Sequence, residues 1–226
     1  MSFTELPLLE QLVLVLAAIS LFLSFSLLAQ PRLVTGIHLF AWQGGTLAAA
    51  TSFMATGYPD LYLSAMLTLG LKAFLIPWML HRLVRRLNLE RHTEALTHGG
   101  FVLILGAALV IFSYWISVPV ERLAAGSTRN ILAFSLAAVL LGMLIMVSRR
   151  QAVMQVIGFM SMENGLFLAA VSATRGMPLV VELGVAFDVL VAAILFGVFF
   201  LHISESIESL DVDRLNRLAA EEGEEP

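Results

Sequence analysis

Apolar residues run through this chain in blocks of about 20, the length that crosses a bilayer core, and short polar breaks separate them. The blocks are Leu8–Ala29, Gly36–Thr56, Leu61–Leu80, Gly99–Val118, Asn130–Val147, Met154–Ala173 and Leu179–His202. They predict an all-α membrane protein of seven transmembrane helices, since helices satisfy their own backbone polar groups in lipid. The breaks have local causes. Pro31 in Gln30-Pro31-Arg32 ends the first helix, because its ring disfavours helix in the residue before it. Turn residues do the same at Thr56-Gly57-Tyr58-Pro59-Asp60 and at Thr174-Arg175-Gly176-Met177-Pro178. The first ten residues carry acid and no Lys or Arg, unlike a secretory signal, so the first block is read as a retained helix.

Basic residues orient the frame. With the N-terminus outside, the inner side holds nine arginines: Arg32, Arg82, Arg85, Arg86, Arg91, Arg149, Arg150, Arg214 and Arg217. The outer side holds three, Arg122, Arg129 and Arg175. The expected topology is N-out, C-in, and the arginines are read as setting it. Tyr58, Tyr62, Tyr114 and Trp115 then fall at outer helix ends and Trp78 near an inner one, as an interfacial belt requires. Composition agrees: 59% of the 226 residues are hydrophobic and 13% charged, against about 25% charged in soluble domains. The formal net charge of −4 comes mostly from the acidic tail, and nothing points to nucleic acid. The absence of cysteine excludes Cys-ligated clusters, thiol chemistry and disulfides in this chain. Its five histidines show no HxH or HExxH spacing, so no metal site is expected.

Three regions are expected: a membrane part at 1–128, a three-helix part at 129–203 and an acidic cytoplasmic tail at 204–226. The basic inner loop at 81–98 is suited to the anionic inner leaflet or to an acidic partner. A shift of 120 positions superposes the first two helices on the fifth and sixth without a gap. Ala17, Ala18, Leu21, Ile37, Gly45, Ala49, Ala50 and Ser52 meet identical residues at 137, 138, 141, 157, 165, 169, 170 and 172. This suggests a parallel repeat of the first three helices. In its register Gln43 stands opposite Glu163.

Three charged residues lie far from any loop. Glu163 is 13 residues past Arg150, Lys72 is 12 past Asp60, and Asp188 is 10 past Pro178. At about 1.5 Å per residue all three reach the midplane, which predicts one buried polar layer shared by helices three, six and seven. An ionisable group at that depth is costly and marks a functional site by default; a structural hydrogen bond or a static ion pair is the plainer reading. Lys72 is the chain's sole lysine, and its approach to or withdrawal from a carboxylate would make a two-state switch. Asn164, beside Glu163, and Gln43 are the neutral members of the candidate proton pathway. His202 lies four turns beyond Asp188 toward the inner surface, His38 at the inner end of the second helix, and Glu182 near an outer end. Gln155 is placed to hold water. Gly44, Gly45, Gly165, Gly184 and Gly197 are read as close-packing positions.

The stretch IGFMSMENGLFLAA, the aspartate in VAFDVLVAAILFGVFFLHI and the tail SIESLDVDRL carry a resemblance. Residues 130 to about 214 resemble the three-helix K subunit of respiratory complex I and the C subunit of multi-subunit cation/proton antiporters. The whole chain resembles the hydrogenase-4 component E family, a membrane component of group 4 [NiFe] hydrogenases and formate hydrogenlyase-type complexes. The resemblance implies a non-catalytic subunit in a bacterial or archaeal cytoplasmic membrane. It implies antiporter-like membrane subunits, a quinone-site-like membrane subunit and peripheral hydrogenase-like subunits as partners. The [NiFe] centre and iron–sulfur clusters would lie in those partners, with no cofactor here. In the favoured alignment the first intramembrane glutamate of the K subunit falls at Met160, one turn before Glu163, and the second resembles Asp188. The alternatives are a subunit of a cation/proton antiporter and a stand-alone small transporter.

Overall fold

The computed structural model describes residues 8–54, 59–86, 99–119, 126–174, 184, 186–194 and 197. Among these every regular element is helical: α1 (Leu8–Ala29), α2 (Leu33–Met54), α3 (Pro59–Thr68), a π-helical segment (Leu69–Leu75), α4 (Ile76–Arg86), α5 (Gly99–Ser117), α6 (Gly126–Ser148) and α7 (Ala152–Thr174). Residues 186–194 form a last helical stretch. Five helices are long and apolar enough to cross a membrane among the described residues: Leu8–Ala29, Ala65–Arg86, Gly99–Ser117, Asn130–Ser148 and Ala152–Ala173. α2 matches α1 in length but is less apolar, because it carries Gln43, His38 and four threonine or serine residues within its 22. The protein is a multi-pass membrane protein. The tail and residues 87–98 of the basic loop lie outside the described residues.

α1 ends at Ala29, where Pro31 was expected to end it. Its last carbonyls receive a cap from far along the chain. Arg149 is 2% exposed, and its Nη2 donates to the carbonyls of Leu28 and Gln30 at 2.7 Å each. Arg149 therefore stands inside the protein, not in a solvated loop. The reason is that a helix C-terminus presents orphan carbonyls and negative dipole charge, which a guanidinium satisfies. Gln155 reads differently too: its Nε2 donates to the Arg149 carbonyl at 2.9 Å and fixes the turn between α6 and α7.

The packing order is α1 on α2, α6 on α7, α1 on α6 and α2 on α7. Shifted by 120 positions, α1 and α2 fall within two residues of α6 and α7 at each end. α6 and α7 are in tight contact at Gly142, where a Cβ would lie 2.5 Å from the Met162 nitrogen. The main apolar core runs through Leu28, Phe40, Ile76, Leu141, Ile157 and Met160, each under 2% exposed. It closes the side of the polar layer that faces the α1–α2 and α6–α7 turns. A second cluster, built on Ala17, Leu47, Phe167 and Val171, closes the other side.

The third helix departs from regular geometry. Pro77 has no N–H for the carbonyl four residues back, and its ring crowds that carbonyl. The backbone widens ahead of it, with the Ile76 N–H donating to the Leu71 carbonyl five residues back. Such π insertions recur at functional sites. This one contains Lys72.

Candidate functional site: a buried polar layer

Glu163 is the middle residue of α7; Gln43 and Lys72 lie at the middles of α2 and of the continuous helix from Pro59 to Arg86. The expected common depth therefore becomes contact. Lys72 is fully buried. Its Nζ donates to Glu163 Oε2 and, at 2.8 Å, to Asn164 Oδ1. Asp188, 1% exposed, brings Oδ1 to 3.2 Å from the same ammonium. That pair is close enough for an ion pair but lacks hydrogen-bond alignment, and Asp188 Oδ1 has no directed partner. The ammonium also lies 5.5 Å from the centroid of Phe167, within the range of a cation–π contact. Three helices thus place one cation between two acids, as buried charges require.

The layer continues through neutral groups. Asn164 Nδ2 donates to Gln43 Oε1 at 3.3 Å. Gln43 Nε2 donates to Ser24 Oγ at 2.7 Å and to Ser161 Oγ at 3.0 Å. Ser24 Oγ donates in turn to the Ser20 carbonyl at 3.0 Å. A hydrogen-bonded chain therefore runs from Lys72 through Asn164 and Gln43 to Ser24 of α1, and Asp188 joins it through its ion pair with Lys72. Sequence reading did not find Ser24 and Ser161. Serines are common on membrane helices, and only a polar partner on the facing helix distinguishes them. Ser161 offered one signal, since it lies two residues before Glu163.

Close backbone approach makes the site possible. A Cβ on Gly44 would lie 2.8 Å from Lys72 Cβ and 3.0 Å from its carbonyl carbon, so glycine lets α2 touch the π-helical backbone. Gly165 and Gly184 pack tightly as well, against the Ser135 carbonyl and the Phe167 ring. Gly45 and Gly197 do not: nothing stands within 4 Å of a Cβ at either. Their helix faces have no tight neighbour among the described residues, so the close-packing expectation fails there.

His38 stands outside the layer. It is exposed, its Nδ1 is 2.8 Å from the Val34 carbonyl, and its ring meets His81 edge-on at 6.0 Å. Five residues separate it from Gln43, about 7.5 Å along the axis. Met160, the position that the expected resemblance to the complex I K subunit pairs with a glutamate, is wholly buried in the apolar core. His202 and Glu182 lie outside the described residues. Among the described residues no group of His, Asp and Glu is placed to hold a metal ion.

Comparison with known proteins gives the lineage. The chain is 30% identical over 147 residues to hydrogenase-4 component E of Escherichia coli (strain K12), covering 65% of this chain and 68% of that protein. It belongs to the hydrogenase-4 component E family. The component E of Shigella flexneri matches equally, at 30% over the same length. A Mycobacterium tuberculosis protein, uncharacterized protein Rv0085, is 34% identical over 185 residues, covering 80% of this chain and 84% of that protein. No protein-family model and no solved structure matches.

Proposed function

We propose that this chain is a non-catalytic integral-membrane subunit of a complex I-related, energy-converting hydrogenase assembly, in which Glu163 and Asp188 carry protons and Lys72 tunes them. The observation behind this reading is a charge count. Two carboxylates and one ammonium share a buried site; their formal sum is −1, and a single proton makes the cluster neutral. In a low-dielectric layer the neutral and charged clusters differ strongly in cost. Lys72 sits between both acids, so a small displacement of its π-helical backbone changes which acid it compensates. The amide and hydroxyl chain through Asn164, Gln43 and Ser24 offers a polar continuation toward α1.

The family supports the assembly. The name hydrogenase-4 component E speaks of one part of a larger hydrogenase, and this chain has no cysteine for redox centres. Redox chemistry, with its [NiFe] and iron–sulfur groups, is assigned to peripheral hydrogenase-like partners. Antiporter-like and quinone-site-like membrane subunits complete the proposed set. Seven spans, an N-out, C-in orientation and a cytoplasmic-membrane location belong to the same proposal, as does the likeness of the last three helices to the complex I K subunit.

The test is coupled proton movement by the complex extracted from native membranes. Glu163→Gln should abolish most of it, while Glu163→Asp should retain part. Equal movement in wild type and the Gln variant would leave the cluster as a structural ion pair and end the proton reading.

A further inference from the structure

Glu163 has a second side. While Lys72 holds it from within, Glu163 also lines a groove of about 370 Å³ between α7 and the last helical stretch. The other walls are apolar: Phe159, Met162, Leu166, Phe167 and Phe187. Leu166 is 51% exposed, so the groove opens on the surface of the helix bundle. It is centred on the middle of a membrane-spanning helix.

That position creates a physical requirement. A carboxylate at mid-span has to face protein or water, not hydrocarbon. A lipid acyl chain would fill the volume but would offer the carboxylate no donor. The wall residues favour an apolar occupant with one polar group. The charge of the cluster behind them selects its sign, because Lys72 compensates only one of the two acids it touches.

We infer that this groove seats a transmembrane helix of a neighbouring subunit, and that this helix brings one Lys or Arg side chain to Glu163. The inference rests on the proposed function, in which the chain works inside an assembly, and it names the chemistry of the partner. The incoming cation shares Glu163 with Lys72. Two cations against two acids make the joined cluster neutral without a proton. Docking therefore couples the seating of the neighbour to the charge carried by Glu163 and Asp188.

The absence of native cysteine and the exposure of Leu166 make the test direct. A benzophenone-bearing residue is placed at position 166 in the full complex, Glu163 is left intact, and the complex is irradiated in native membranes before extraction. The expected result is a shift of the chain by the mass of one partner subunit, with the adduct mapping within one turn of a Lys or Arg at mid-span of the partner helix. Changing that cation to Glu should abolish the adduct, and adding Glu163→Lys should restore it. Adducts to lipid alone, to a second copy of this chain, or to a helix with no Lys or Arg within a turn would overturn the inference. The two proposals fail separately. An adduct as expected, with proton movement unchanged in Glu163→Gln, keeps the docking site and discards the proton role. A lipid adduct with proton movement lost in Glu163→Gln does the reverse.

Discussion

α2 and α7 occupy equivalent places in the 120-residue register, yet they treat the same lysine in opposite ways. Where α7 has Asn164, α2 has Gly44. Asn164 holds the Lys72 ammonium with its side chain; Gly44 admits the Lys72 backbone by having none. One position earlier, Glu163 meets the cation while Gln43 binds two serine hydroxyls and accepts from Asn164. One position later, Gly165 is packed against the Ser135 carbonyl and Gly45 faces open space. A common register thus carries two jobs. The α7 copy supplies charge, and the α2 copy supplies geometry and neutral hydrogen bonds. Burial alone does not separate them, since Gln43 and Asn164 are each 1% exposed. The difference lies in what faces each residue.

The largest break of this comparison is the removal of the cation both helices serve. Lys72→Met leaves two buried carboxylates without an ammonium, and uncompensated buried charge costs about 3–5 kcal/mol. The thermal midpoint of the purified complex should fall steeply, or assembly should fail. Adding Glu163→Gln and Asp188→Asn should recover most of the loss. Next comes the α1 cap, which ties the two halves together: Arg149→Met removes the charge-assisted bonds to the Leu28 and Gln30 carbonyls, and a hydrogen bond of that kind is worth about 1.5–3 kcal/mol. Denaturant midpoints in detergent should show this loss with proton movement per assembled complex retained.

A sharper test sets the two neighbouring glycines of α2 against each other. Gly44→Val drives atoms into the Lys72 backbone and should cost about 1–3 kcal/mol by overpacking. Gly45→Val points into open space and should stay within about 0.5 kcal/mol. Equal losses on thermal unfolding would mean that Gly44 is not the seat of the π segment. The smallest effect belongs to the neutral end of the layer. Ser24→Ala removes one acceptor for Gln43, and interhelical hydrogen bonds in membranes average about 0.6 kcal/mol. A loss several times larger would show that the serine chain is coupled to the charged cluster.

Much of this was legible in the residues because a bilayer enforces simple rules. Apolar length gave α1 to the residue and placed α5, α6 and α7 within a few residues. Counting from loop charges put Lys72, Glu163 and Asp188 at one depth, and buried charges at one depth pair if their helices are adjacent. Three features were decided only by tertiary structure. The π register around Lys72 depends on Pro77 together with the close approach of α2, and the proline alone announces a distortion without its form. Arg149 looked like one of nine inner-side arginines, because charge sign sets topology while the direction of a side chain is set by which orphan carbonyls lie beside it. Ser24 and Ser161 gained meaning from Gln43 across the helix interface. Depth is a one-dimensional property that the chain writes along its length; facing is set by helix rotation and packing, and those exist only once the helices have met.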